Sequence, residues 1–362
     1  MKRLFFTIFA ISVLFSCNGE KSLTVTVKNS ENFARKNESV EVPITKLKAK
    51  FGENIDNLAV YDGQNEIVSQ FVDGALLFQA STDANSSKSY ILKLSETKTD
   101  YEPMAYGRLV PERMDDWCWE NNRIAFRVYG PALQATGEIS NGIDIWVKRT
   151  DKLIVDKWYA HGNYHKDNGE GLDGYKVGRT LGAGALAPIV DGKFVLGNNF
   201  ISAKLVDSGA IRTSVLLEYA PYDVDGIEVK ESRLISLDAN SHFNRVTSNF
   251  IGKFDEIDAG IGIILRKGDG EIKEFDEAIC YSEPVAGKNG VTHIAVVLDD
   301  NLESETIQNH ITALTKIENG KGYTYLTGAG WSKYGFESNL DWQNYVKQVE
   351  KAFNSPLELE FK

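Results

Sequence analysis

From residue 23 onward, apolar side chains return at every second position in short runs, and the runs are separated by clusters of Asn, Gly, Asp and Ser. This period belongs to a strand with one buried face. A helix cannot bury it, because helical side chains share a face only every 3.6 residues. The first runs are LTVTV, VEVPI, NLAVYD, IVSQFV, ALLFQA and YILKLS, and their close spacing predicts a small N-terminal β-sandwich over residues 23–95. The polar segment Glu96–Pro103 reads as a linker.

Beyond residue 105 the runs lengthen: IAFRVYG, GIDIWVKR, NFISAKLV, IRTSVLLEYA, VKESRLISL, NRVTSNFI, AGIGIIL and HIAVVLD. So many strands predict an all-β chain in which residues 105–362 form a large antiparallel two-sheet sandwich, resembling that of mutarotase-like sugar enzymes. The glycine-rich GAGWSKYG at 328–335 reads as a loop. One C-terminal helix is expected, since LDWQNYVKQVEKAF sets Leu340, Tyr345, Val349 and Phe353 on one helical face. Asn354 and Pro356 stop that helix, and LELEF follows as a strand.

The opening MKRLFFTIFAISVLFSC has the form of a lipoprotein signal peptide. Lys2 and Arg3 precede the apolar stretch Leu4 to Phe15, which is short for a membrane span, and Leu14-Phe15-Ser16-Cys17 supplies a cysteine for acylation after removal of residues 1–16. The expectation is an exported protein, anchored to a membrane through lipid on Cys17 in the periplasm or at the cell surface. An ordinary secretory signal with a chance cysteine is the alternative. Cys118 and Cys280 remain; spacing does not decide whether they pair, and Cys118 between two tryptophans reads as a buried free thiol. A net charge of −11 argues against nucleic acid as a partner. There is no CxxC, HExxH or dinucleotide fingerprint, and no redox cofactor is expected.

Polar and aromatic residues crowd residues 106–185, where four of the six tryptophans and two of the five histidines fall. Such a density of side chains that are costly to bury predicts the functional site. In RIAFRVYG, alternation sets Arg123, Arg127 and Tyr129 on one face, a floor suited to an anion that an arginine fork can grip. Trp117, Trp119 and Trp158 are candidates for stacking on a sugar ring, and Trp146 for a cleft wall; Glu120 is a further substrate-binding candidate. The segment WYAHGNYHKDNGEGLDGY brings together His161, Tyr164 and His165, side chains able to exchange protons, followed by Asp167, Glu170 and Asp173. Those three carboxylates can also be read as Ca²⁺ ligands or as a glycosidase pair, so a divalent cation stays open. The remaining histidines, His242, His293 and His310, read as structural.

The strings YGRLVPERMDDWCWENNRIAFRVYGPAL, GIDIWVKR, DKWY, YHKDNGEGLDGYKVGRTLGAGA, SLDANSHFNRV and GAGWSKYG resemble a family of exported bacterial proteins associated with polysaccharide degradation, which includes the ulvan oligosaccharide dehydratase. The resemblance spans most of residues 23–362. It implies removal of water from the non-reducing-end uronic acid of an oligosaccharide, giving a 4,5-unsaturated sugar. Chemistry then suggests the roles. Arg123 or Arg127 would neutralise the uronate carboxylate, and His161, Tyr164 and His165 would share the base and acid, with Lys157 in reserve. The rivals are a polysaccharide lyase, which expels a sugar by the same elimination, and a glycan-binding lipoprotein without catalysis.

Overall fold

The structure, a computed structural model, describes residues 21–362, so the signal segment and Cys17 lie outside the described residues. The chain is all-β, and its strands pair antiparallel. An N-terminal sandwich packs a five-stranded sheet against a three-stranded one made of Arg35–Pro43, Ala75–Thr82 and Ser69–Val72. The alternation in LTVTV does what its period requires: Leu23, Val25 and Val27 enter the core with Val42, Val60 and Phe78, while the threonines stay outside it. Two features depart from the sequence reading. Residues Ile44–Phe51 form a helix that buries Leu47 and Phe51. The strand Glu358–Phe361 pairs with Ser22–Asn29, so it belongs to this first sandwich and not to the 105–362 unit.

The larger unit faces a nine-stranded sheet against two five-stranded sheets, with one continuous apolar core between the layers. GAGWSKYG is only half a loop, because its first four residues lie within the strand Tyr323–Trp331. A Cβ on Gly328 would stand 2.4 Å from the His242 carbonyl, so glycine there serves close packing of neighbouring strands rather than a turn.

The C-terminal helix, Asn339–Asn354, starts at a capping box in which Ser338 and Asp341 satisfy each other's backbone N–H groups. Its buried residues are Trp342, Val346 and Glu350, with Tyr345, Val349 and Phe353 partly buried beside them. Leu340 is 62% exposed, so the buried stripe is centred one residue-row away from the expected one. Arg35 donates to the carbonyls of Ala352 and Ser355 at the helix end, tying the first sandwich to it. Gln79 and Gln70 complete the junction, reaching Ala239 O at 2.7 Å and Arg212 O at 3.0 Å. Cys118 and Cys280 are free and buried, and burial pushes both thiols up.

Candidate functional site

In the sheet formed by Ala105–Val110, Asp116–Asn121, Ile124–Val128, Asp144–Lys148 and Gly171–Asp173, every strand but the edge strand Ala105–Val110 is buried on both faces. Register decides what each face carries. Phe126 lies opposite Trp119 and Val128 opposite Trp117, so both tryptophans enter the main core instead of lining a sugar site. The Trp119 indole N–H donates to Asn244 Oδ1 at 2.7 Å.

The other face carries Asp116, Cys118, Glu120, Arg127, Asp144, Trp146, Lys148 and Asp173, roofed by the helix Val155–His161 and the loop after it. Glu120 is structural here. It accepts from Lys148 Nζ at 2.7 Å and from the backbone N–H groups of Ile154 and Val155, fixing the start of the roofing helix. Burial raises the Glu120 carboxyl and lowers the Lys148 ammonium, but the three donors converging on Glu120 are the arrangement a carboxylate requires. Trp158 stacks on Trp146 at 5.7 Å, and Trp146 is fully buried, so Trp146 forms no open cleft wall.

Arg127 is likewise no exposed floor. It is 4% exposed and donates to Asp144 Oδ2 at 2.9 and 2.5 Å and to Asp173 Oδ2 at 2.9 Å, with Asp116 Oδ2 at 3.9 Å. Tyr129 and Trp146 lie against its guanidinium at 5.1 and 5.2 Å. Burial opposes the Arg127 charge, but Asp144 and Asp173 hold it well above its ordinary value. Arg123 sits at the other end of the strand, in the turn after Asn121, with Nη2 3.5 Å from Asn240 Oδ1, so the two arginines do not share a site.

One guanidinium among three carboxylates leaves an excess of negative charge. Burial first, and the Asp144 charge second, raise the Asp173 carboxyl, and burial pushes Asp116 up to about 6. The sign for stability follows. Between pH ~4 and ~6 the unfolded chain releases the Asp116 proton while the folded one keeps it, so this group's contribution is complete below pH ~4 and is lost as pH rises through ~6. Asp116→Asn keeps an acceptor for the Gly130 N–H at 3.1 Å and removes the titration. Denaturant unfolding across this range should show wild-type stability falling relative to the variant by on the order of 2 kcal/mol. A difference that is flat with pH would mean that Asp116 does not titrate there.

At the edge of this network three side chains meet solvent: Arg113, Tyr164 and His165. Arg113 ends the short turn Pro111–Arg113, and the next two residues, Met114 and Asp115, take left-handed backbone at φ 55° and 59°. Two non-glycine residues in that region form a strained turn, and Gly130 clamps it, since a Cβ there would stand 2.0 Å from Asp115 O. The turn sends Asp116 inward and leaves Arg113 half-buried beside the Tyr164 hydroxyl. Burial opposes the Arg113 charge, and Asp116 and that hydroxyl more than offset it. Among the described residues Arg113 has no carboxylate within 4.0 Å.

Tyr164 stacks on Trp146 at 5.1 Å. The His165 side chain is 66% exposed, with Nδ1 3.1 Å from the Asp173 carbonyl and 3.5 Å from Asp173 Oδ2. A carbonyl only accepts, so Nδ1 carries the proton and Nε2 keeps its lone pair. His161, at the end of the helix Val155–His161, is exposed and lines a neighbouring cavity of about 360 Å³ with Lys157, Trp158 and Glu170, with Tyr164 between the two. Lys157 is held there by both oxygens of Glu170 at 2.7 Å.

The three carboxylates of the Ca²⁺ reading go to different cations: Asp167 to Arg149, Glu170 to Lys157 and Asp173 to Arg127. Among the described residues, no three His, Cys, Asp or Glu side chains are grouped to hold a metal ion. His242, His293 and His310 are hydrogen-bonded to the protein. Arg113, Asp116 and Asp144 are not among the site candidates of the sequence reading. Alternation carried part of the signal, setting Asp116 with Cys118 and Glu120, and Asp144 with Trp146 and Lys148; register with Arg127 brings these sets to one face.

A family profile described as "Domain of unknown function (DUF4861)" matches residues 27–359. The chain belongs to that family. It is 32% identical over 391 residues to "Uncharacterized protein P7" of Formosa agariphila, an alignment covering 98% of each chain. Among solved structures, this DUF4861 chain is similar to a protein in the glycosyl hydrolase family 38 from Enterococcus faecalis, with a TM-score of 0.57 and 10% identity. The likeness covers 95% of this chain and 48% of the other, so the chain spans about half the length of that protein. At that identity the likeness establishes the fold alone.

Proposed function

We propose that this protein is a carbohydrate-active dehydratase that removes the C4 hydroxyl and the C5 proton from a terminal uronic acid of an oligosaccharide, such as one derived from ulvan. The observation that carries the reading is the solvent edge of the Arg127 network, where Arg113, Tyr164 and His165 stand together and, among the described residues, no carboxylate is in ion-pair range of Arg113. A C5 proton beside a carboxylate is a poor acid. Arg113 neutralises that carboxylate and stabilises the enediolate that forms when the proton leaves. His165 Nε2 is the base, and the imidazolium it becomes is stabilised by the Asp173 carboxyl oxygen 3.5 Å from Nδ1. The Tyr164 hydroxyl donates the proton that leaves with the C4 oxygen as water. The fold shared with a glycosyl hydrolase family 38 protein is consistent with a sugar substrate.

The test follows absorbance and mass together on oligosaccharides ending in a saturated uronic acid. A dehydratase raises ultraviolet absorbance, by conjugating a new C=C bond to the carboxylate, and the product loses one water while keeping its length. Chain shortening with the same absorbance would identify a lyase instead, and no change in either would leave a binder.

The same proposal includes location. The LFSC segment ending at Cys17 motivates a membrane-anchored lipoprotein. Expressed with its signal in its host, the protein should sediment with membranes, and Cys17→Ala should release it. Soluble wild-type protein would rule the anchor out.

A further inference from the structure

We infer that the groove between the N-terminal sandwich, the nine-stranded sheet and the C-terminal helix is a second ligand site, binding an anionic sugar residue through Arg245 against Phe353. The groove encloses about 600 Å³, space for one or two sugar rings. Register sets Ser236, Arg245 and Leu326 side by side across three strands of its floor.

Three arginines line the groove, and two of them are neutralised within it: Arg35 by Glu38, and Arg212 by Asp238 and Glu41. Arg245 differs. Among the described residues it has no carboxylate within 4.0 Å; its guanidinium lies 4.9 Å from the Phe353 ring centroid, and its side chain is open to solvent. Desolvation and the neighbouring Arg212 charge act against it, while the Asp238, Glu41 and Asp299 charges act in its favour from beyond ion-pair contact, so the fork itself is left to an incoming anion. At the same end Arg123 approaches Asn240, a lining residue, and it too lacks a carboxylate in ion-pair range among the described residues. Half-buried His242, held near pKa 4 chiefly by desolvation, adds no positive charge of its own at neutral pH.

Tyr345 and Phe353 give the groove an aromatic wall from the helix, the surface on which the C–H face of a sugar ring packs. The groove therefore pairs one planar fork free of carboxylate contact with an aromatic wall. A carboxylate or sulfate borne on a sugar fits that combination; choosing a sugar as the carrier rests on the function proposed above. Such a site would hold the acidic chain at a place remote from the reacting terminal residue.

The experiment uses the mature full-length protein with tri-galacturonate, its methyl ester and inorganic sulfate as probes. Hydrogen exchange should show protection of 236–245 and 345–353 with tri-galacturonate, and little with the ester. Arg245→Gln should weaken that protection-linked affinity about tenfold or more, as loss of a bidentate contact does, while Arg245→Lys loses less. Turnover at saturating substrate should be unchanged in both variants. No protection in the groove, or equal affinity of Arg245→Gln and wild type, would overturn the inference. Equal affinity for sulfate alone would overturn its assignment to a sugar-borne anion. The two readings fail separately: groove protection without new absorbance rejects the dehydratase, whereas new absorbance without groove protection rejects this site.

Discussion

His165→Ala should lower turnover on a uronate-terminated oligosaccharide by roughly 10²–10⁴-fold at saturating substrate, with little change in affinity, because a positioned base acts in the transition state and adds little to binding. Geometry singles out this histidine over His161. His165 has Nδ1 engaged by the Asp173 carbonyl, which fixes the tautomer, and its ring lies 4.5 Å from that of Tyr164. His161 lines the neighbouring cavity beside a lysine already neutralised by Glu170. His161→Ala should therefore keep turnover within about twofold, because it removes no group that meets the reacting atoms. Arg113→Ala should reduce both kcat and kcat/KM, since its contact strengthens as charge builds on the uronate carboxylate. Wild-type turnover in His165→Ala, with loss in His161→Ala, would move the chemistry to the 360 Å³ cavity.

The largest stability effect should come from Arg127→Met. The side chain is 4% exposed and is the shared partner of Asp144 and Asp173, with Asp116 nearby. Removing the cation leaves buried carboxylates without compensation, a change that costs about 3–5 kcal/mol. Urea unfolding at neutral pH should show this loss. It should shrink as pH falls, because the stranded carboxylates become neutral on protonation. Arg127→Lys should recover part of the charge but not the fork that reaches two carboxylates at once. A loss below about 1 kcal/mol in Arg127→Met would mean that the network does not hold this sheet to its roof.

Period-two alternation made the architecture legible, because most strands here bury one face and show it in their sequence, as Ser22–Asn29 and Ile227–Asp238 do. It failed where both faces are buried. All six residues of Asp116–Asn121 are buried, so alternation separates Trp117 and Trp119 from Asp116, Cys118 and Glu120 but cannot say which set meets the larger core. That choice depends on register with Ile124–Val128, a long-range fact. The same limit turned Arg127 from a presumed cleft floor into the centre of an ion network. Arg113 was hidden for a different reason: its position depends on two consecutive left-handed residues that are not glycine, and composition gives no sign of them. The short helices Ile44–Phe51 and Val155–His161 were missed because two turns offer too few repeats for a helical period to emerge. Where His161, Tyr164 and His165 gather was legible; how they divide between two surfaces was not.

The pairing of Glu358–Phe361 with Ser22–Asn29 bears on how the protein is made. A ribosome delivers Ser22–Asn29 among the earliest described residues and its partner among the latest. During synthesis the first sandwich can acquire the Ser86–Leu94 side of that strand, but its opposite edge waits until nearly every other strand has been translated. An unpaired edge with valines behind it is a template for pairing with other chains. Folding is thereby coupled across the molecule: the first sandwich becomes complete only after the larger one has emerged.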